Sequence, residues 1–231
     1  MRGEESGLAA RLAAVRQRID RACAEAGRDP ATVGLVAVSK QQPAARIAAA
    51  IALGLVDLGE SYAQELTQHQ QQFPGVRWHF IGHLQRNKVK LVVPGCELLH
   101  SLDSARLLEA VGQRAREAGV VQQVLIEVST EEATKTGLPP AEVPALAARI
   151  VAEPGVRLVG LMGMAPFDSP PAQASDTFRR LRTLRDELEQ RLGRSLPTLS
   201  MGMSGDLEQA VSEGATLVRV GEALFGPRQA R

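Results

Sequence analysis

The segment that decides the fold is Val33-Gly34-Leu35-Val36-Ala37-Val38-Ser39, a seven-residue run without a charged side chain. A strand that faces water on one side alternates apolar with polar residues, whereas a strand covered on both faces does not. The run therefore predicts a strand that is buried on both faces. Pro43 then opens a helical stretch that reaches about Leu53, because proline is tolerated in the first turn of a helix.

The same unit of strand followed by helix repeats along the chain. Eight strands are predicted: Val33–Ser39, Val56–Gly59, Arg77–Gly82, Glu97–Ser101, Gln123–Val128, Val156–Gly163, Pro197–Gly202 and Thr216–Gly221. Eight helical stretches are predicted: Leu8–Ala26, Pro43–Leu53, Ser61–Gln72, Leu84–Val93, Asp103–Ala118, Pro139–Ala152, Ala172–Leu192 and Gly205–Ser212. This alternation indicates a parallel sheet of the α/β class. Eight units in 231 residues favour a single (β/α)8 TIM barrel with an extra N-terminal helix over an open doubly wound sheet.

Composition excludes several classes of protein. Lys and Arg number 27 against 26 Asp and Glu, and this balance argues against a nucleic-acid surface. No apolar run approaches the ~20 residues of a membrane helix, and the acidic N-terminus does not resemble a secretory signal. Cys23 and Cys96 lack the spacing of a disulfide framework or a metal site, so we expect a cytoplasmic protein. Since no shift in composition marks a boundary, we expect one domain over residues 1–231.

Function in a parallel barrel collects at the carboxyl ends of the strands. The first strand ends in Ser39-Lys40. A lysine in a barrel mouth is desolvated, which lowers the pKa of its amine and makes the neutral form available for a Schiff base with an aldehyde. The alternative is that the Lys40 side chain simply extends to solvent.

The last two strands supply a second group of polar residues. Leu199–Asp206 passes from strand seven into a helix, and Val218-Arg219-Val220-Gly221 ends strand eight. Small residues and hydroxyls at helix N-termini can bind anions, and barrels often hold phosphate after strands seven and eight. Ser204 and Gly221 are therefore predicted to lie near a phosphate. The alternative is that Ser204 caps a helix and Gly221 turns the chain.

An aldehyde site and a phosphate site together suggest pyridoxal 5'-phosphate (PLP). Arg219 would lie between them on strand eight, and a guanidinium against the pyridine nitrogen would oppose its protonation. Such a site suits holding the cofactor or a restricted chemistry. Met203 is interpreted as core or pocket lining.

Other polar residues give weaker signals. The four histidines, His69, His79, His83 and His100, are interpreted as satisfied polar neighbours, and their spacing does not indicate a metal site. Lys135-Thr136-Gly137 lies at the predicted mouth or in a solvated loop.

Eight segments, in order across nearly the whole chain, resemble the pyridoxal phosphate homeostasis proteins of the YggS/PROSC type. They are Ala37–Lys40, Gly59–Glu65, Trp78–Lys88, His100–Ser104, Lys135–Gly137, Gly160–Met164, Leu199–Asp206 and Val218–Gly226. The resemblance implies a barrel like the N-terminal domain of alanine racemase and a Schiff base between Lys40 and PLP. It also implies that Ser204 and Gly221 belong to the phosphate site, that Arg219 faces the pyridine nitrogen and that Asn87 lies near the cofactor mouth.

One departure from the family stands in the second segment. The family usually has asparagine where this chain has Ser61. Serine is shorter and cannot donate as an amide does, so a cofactor contact at Ser61 would need a water molecule.

The resemblance implies a carrier and regulator of PLP, with effects on vitamin B6 balance and without a defined turnover. PLP-dependent apoenzymes are conceivable recipients, and we expect a monomer. The competing hypotheses are a racemase of the alanine racemase type, a Schiff-base aldolase and a protein-interaction module. Racemases take a second base, a tyrosine, from an additional domain and a dimer partner, whereas this sequence ends at Arg231 and has Tyr62 as its only tyrosine.

Overall fold

Eight parallel strands close into a barrel in the computed structural model, which describes residues 2–130 and 136–226. The strands are β1 (Gly34–Val38), β2 (Asp57–Glu60), β3 (Arg77–Phe80), β4 (Leu98–Leu102), β5 (Gln122–Glu127), β6 (Val156–Met162), β7 (Thr198–Ser200) and β8 (Leu217–Val220). Each strand pairs with the next along the chain, and β1 pairs with β8 to close the ring. The prediction of a (β/α)8 barrel is confirmed, and the open sheet is excluded.

Nine α-helices occur in the described part of the chain. They are α1 (Arg2–Glu25), α2 (Ala44–Ala52), α3 (Ala63–Gln72), α4 (Val89–Val92), α5 (Ala105–Glu117), α6 (Val143–Val151), α7 (Pro171–Leu192), α8 (Leu207–Ser212) and α9 (Glu222–Phe225). Short 3-10 turns, Arg86–Lys88 and Pro140–Glu142, precede α4 and α6. The extra N-terminal helix is confirmed as α1. It packs on α8, α9 and α2, with Leu8, Leu12, Val15 and Ile19 buried along one face.

Helix ends follow the expected chemistry with one correction. Gly27 and Gly119 follow α1 and α5 with φ values of 64° and 68°, the left-handed conformation that favours glycine at a helix end. Asp103, an aspartate at the start of the predicted helical stretch Asp103–Ala118, is expected to be its N-cap, and this expectation is wrong. The cap is Ser104, whose Oγ accepts a hydrogen bond from the backbone N–H of Leu107.

The hydrophobic core has two parts. The larger part lies between the sheet and the helices and includes the fully buried Ile47, Leu66 and Phe178. A separate small cluster consists of Leu98, Leu125 and Met162, from β4, β5 and β6. In the described ranges, no helix is long and apolar enough to cross a membrane.

Candidate functional site

Six of the seven predicted site residues lie in or just after four neighbouring strands. Met203 and Ser204 follow β7, Arg219 is in β8 and Gly221 follows it, Lys40 comes shortly after β1, and Ser61 follows β2. Because β7, β8, β1 and β2 are consecutive around the barrel, these six residues share one side of its carboxyl end. Asn87, in the 3-10 turn after β3, is exposed and stands apart from them.

Lys40 is half-buried at the carboxyl end of β1. The next residue, Gln41, has a φ of 59°, and its backbone N–H donates to the Glu65 carboxylate at 3.1 Å. On the other side, a Cβ added to Gly221 would lie 3.3 Å from the Cβ of Val38. The backbone beside Lys40 is therefore fixed by α3 on one side and by the β8 segment on the other.

The two predicted phosphate loops touch each other. The Oγ of Ser204 accepts a hydrogen bond from the backbone N–H of Ala223, in α9, at 3.2 Å. Arg18 of α1 donates to the Ser204 carbonyl at 3.0 Å and to the Glu208 carboxylate at 2.6 Å and 2.8 Å. The alternative that Ser204 caps α8 is wrong, because the cap position is Asp206.

Arg219 is a buried charged residue at this end of the barrel, with 4% of its surface exposed. Its Nη1 donates to Ser200 Oγ at 2.7 Å, and its Nη2 donates to the Gly163 carbonyl at 3.2 Å. Burial lowers the pKa of Arg219 to about 10, against the attraction of Asp206 and Glu127. The group stays charged at neutral pH.

The guanidinium of Arg219 has more donors than acceptors. It carries five N–H groups, and two of them have acceptors in the described part of the chain. The remaining N–H groups of Arg219 can therefore donate to a ligand that supplies acceptors. A neutral pyridine nitrogen is an acceptor of this kind, and the residues present therefore fit PLP.

Glu127 was missed by the sequence interpretation. It ends β5 and is almost fully buried. Burial raises the pKa of its carboxyl, although a hydrogen bond with Thr136 and the charge of Arg219 act in the opposite direction. Thr136 thus belongs to the barrel mouth, and Lys135 lies outside the described residues.

Ser61 has little room to move its backbone. A Cβ added to Gly82, after β3, would lie 2.2 Å from the Ser61 carbonyl oxygen and 2.7 Å from its Cα. Such distances are far inside van der Waals contact. The chain after β2 and the chain after β3 therefore pack main chain against main chain, which glycine alone permits.

A second group of buried polar residues lies between the sheet and α3. This Glu60 cluster consists of Ser39, Glu60, His69 and Trp78. Glu60 Oε1 accepts from Ser39 Oγ at 2.6 Å and lies 3.0 Å from His69 Nδ1, and the His69 ring stacks on Trp78. Within the described ranges, Glu60 Oε2 and Trp78 Nε1 have no hydrogen-bond partner. Burial raises the pKa of Glu60, against the hydrogen bond from Ser39 and the charge of His69.

The family model for the alanine racemase N-terminal domain matches residues 10–229. The pyridoxal phosphate homeostasis protein of Pseudomonas aeruginosa is 44% identical over 227 residues, with 96% of each chain covered. The chain belongs to the pyridoxal phosphate homeostasis protein family. Its member from Aquifex aeolicus is 41% identical, over 95% of this chain and 97% of that one.

A solved structure of the PipY protein of Synechococcus elongatus carries bound PLP. It is 35% identical to this member of the homeostasis protein family, with a TM-score of 0.83 over 95% of this chain and all of that one. The resemblance stated from the sequence motifs is thereby confirmed, together with the alanine-racemase-like barrel.

Proposed function

We propose that this protein holds PLP through a Schiff base on Lys40 and takes part in intracellular PLP and vitamin B6 homeostasis without a defined catalytic turnover. The observation that carries the proposal is the buried guanidinium of Arg219, whose unused donors lie on the strand next to the one that ends at Lys40. The PLP bound by PipY, a relative of similar fold, supports it.

Each site residue has a part in this proposal. Lys40 would bind the aldehyde, Arg219 would donate to the pyridine nitrogen, and Ser204 and Gly221 would lie by the phosphate. Met203 would line the pocket. Ser61 would reach the ligand through water, because its side chain is short, and Asn87 would lie at the mouth from its exposed turn.

A carrier role follows from the charge of Arg219. PLP acts in enzymes as an electron sink, and the sink is strongest when its ring nitrogen is protonated. A guanidinium opposes that protonation because it can only donate. Tyr62, the only tyrosine of the chain and the only candidate for the second base that a tyrosine supplies in racemases, has 48% of its surface exposed. We further propose that one domain over residues 1–231 works as a cytoplasmic monomer and passes PLP to apoenzymes.

The test is the absorption spectrum of the purified protein after addition of PLP. A Schiff base should absorb at about 410–430 nm, and borohydride should remove the band by reducing it. Lys40→Ala should lose the band, while Lys90→Ala, an exposed lysine in α4, should keep it. A protein that takes up no PLP, or a Lys40→Ala variant with an unchanged band, would contradict the proposal.

The claim of no turnover has its own measurement. Racemisation of L-alanine by the loaded protein should stay far below ordinary enzyme rates of about 1–1000 per second. A rate within that range would establish an enzyme instead.

A further inference from the structure

A continuous chain of hydrogen bonds passes through the inside of the barrel. Arg219 donates to Ser200 at 2.7 Å, Ser200 Oγ lies 2.9 Å from His100 Nδ1, and His100 Nε2 lies 2.9 Å from His79 Nδ1. His79 Nε2 lies 3.2 Å from Asp57 Oδ1. The five residues belong to β8, β7, β4, β3 and β2. We call them the interior chain.

The two ends of the interior chain lie in different surroundings. Arg219 is buried at the carboxyl end of the barrel, whereas Asp57 is the first residue of β2 and lies at the opposite end. Asp57 is held by Arg77 through two hydrogen bonds of 2.7 Å and 2.5 Å. It also lines a cavity of about 290 Å³ together with Arg16 and Asp20 of α1. Asp57, with 18% of its side chain exposed, is therefore the member of the interior chain through which solvent protons can reach His79.

Charge at both ends fixes the direction of the hydrogen bonds. A guanidinium can only donate and a carboxylate can only accept. Ser200 therefore accepts from Arg219 and gives its own hydrogen to His100 Nδ1. His100 then donates from Nε2 to His79 Nδ1, and His79 donates from Nε2 to Asp57. Both histidines are neutral in this arrangement. Burial is the main cause that lowers the pKa of His100 well below its usual range, and a positive charge on His79 or Arg219 acts in the same direction.

A proton added to His79 reverses the direction of the hydrogen bonds between His79, His100 and Ser200. Both nitrogens of His79 then donate, so His100 must accept at Nε2 and carry its own hydrogen on Nδ1. His100 now donates to Ser200, which already accepts from Arg219. The hydroxyl hydrogen of Ser200 has to turn away, and no other acceptor for it occurs in the described part of the chain.

We propose that His100 and Ser200 relay the protonation of His79 to Arg219, so that proton uptake at one end of the barrel weakens the hold on PLP at the other. The proposal rests on the proposed function. When both histidines are neutral, Ser200 Oγ accepts a hydrogen bond from Arg219 only. The guanidinium is then held in position for the ligand. In the reversed chain Arg219 shares Ser200 with His100 and is held less firmly, which lowers affinity. His79, His100 and Ser200 are positioning residues in this scheme.

Other charges face the interior chain and bear on its titration. Asp57 and Arg77 lie at the amino end, with Arg16 and Asp20 around the cavity. Glu127 and Asp206 lie near Arg219 and favour its charged form. Asp57 is the carboxylate that directly contacts His79.

The first test reads the two histidines directly. Nitrogen-15 NMR of the full chain, without added ligand, distinguishes the two ring nitrogens in a titration from about pH 8 to about pH 4. His100 should carry its hydrogen on Nε2 at the start and on Nδ1 once His79 has gained its proton. A His100 that keeps one tautomer throughout, or that begins with the hydrogen on Nδ1, would overturn the relay.

The second test measures the dissociation constant of PLP over the same range. The affinity of the wild-type protein for PLP should fall by roughly tenfold as His79 gains its proton. His79→Gln should bind PLP but lack this fall, because an amide can accept from His100 and donate to Asp57 without titrating. Glu187→Gln, which changes an exposed carboxylate on α7, should keep the fall.

A His79→Gln variant with the wild-type pH profile would refute the coupling. Failure of the wild type to bind PLP at any pH would refute the proposed function instead, and the NMR titration would still decide whether the relay exists. If His79→Gln does not fold, Asp57→Asn serves in its place. It should move both the His79 titration and the affinity change to lower pH, and separate movement of the two would overturn the proposal.

Discussion

The interior chain and the Glu60 cluster both combine a buried hydroxyl, histidine and a carboxylate, yet the groups at their ends differ in hydrogen bonding. The interior chain ends in a charge on each side, and each of its contacts has a donor and an acceptor. The Glu60 cluster ends in an oxygen and an indole nitrogen without partners among the described residues. A linked chain can transmit a change in protonation from one charged end to the other, whereas the Glu60 cluster has, in the described ranges, no charged group at a second end to receive it. Under the proposed function, ligand binding depends on the inside of the barrel, and the Glu60 cluster contributes to stability.

The largest effect is expected from Glu60→Ala. The change leaves Ser39 and His69 without their shared acceptor in a fully buried position. We expect a loss of about 3 kcal/mol in the free energy of unfolding, measured by urea denaturation. Glu187→Ala, an exposed carboxylate on α7, should change it by less than about 0.5 kcal/mol. An equal free energy of unfolding for the two variants would contradict a structural role of the Glu60 cluster.

Substitution of two buried serines, one in each region, should distinguish the two regions. Ser200→Ala removes the hydroxyl that accepts from Arg219, and we expect PLP affinity to fall roughly tenfold in a spectroscopic titration. Ser39→Ala removes an equally buried hydroxyl from the Glu60 cluster. It should cost about 1 kcal/mol of stability and change affinity less than about twofold. If Ser39→Ala weakened PLP binding as much as Ser200→Ala, the division between inside and outside would be lost.

The smallest effect concerns acid stability. Burial would raise the pKa of Asp57, but hydrogen bonds from His79 and Arg77 outweigh it and lower the pKa to about 2 from 3.8. A lowered carboxyl pKa stabilises the fold above about pH 3.8, and the contribution is lost as pH falls through about 2. After allowance for partial exposure, the loss is about 1 kcal/mol. Asp57→Asn should lack this component in urea denaturation at low pH, while Glu187→Gln, a change on the exposed face of α7, should retain it. A wild-type acid profile in Asp57→Asn would contradict the assignment.

The fold could be predicted because its signal is local. A strand such as β1 is covered on both faces, so its own residues are apolar throughout. The residues at which helices begin and end are harder to predict. Asp103 and Ser104 are adjacent and both cap helices well, and the choice depends on which side chain meets the backbone N–H of Leu107. The short helix α9 was not predicted, because four residues carry no periodicity.

Residues of the site could be predicted from the sequence only where they lie at or near the ends of strands. Lys40 and Arg219 stand out because a charge follows or interrupts an apolar run. The partners of Arg219 do not stand out. Ser200 and His100 are 100 residues apart and meet across the barrel from β7 and β4, which are not neighbours. His79 and His100 were interpreted as satisfied polar neighbours, and each indeed has hydrogen-bond partners. Their link into one chain follows from the closure of the barrel, which no single segment encodes.

The close packing of Gly82 on Ser61 has an evolutionary consequence. Because the main chain of Gly82 holds the main chain of Ser61, the course of the backbone there does not depend on which side chain Ser61 carries. Substitution at position 61 can therefore alter what the protein offers to its ligand while the scaffold stays the same, whereas position 82 is closed to change. Under the proposed function, serine at position 61 adjusts the contact with the ligand, while glycine one strand away keeps the backbone in place.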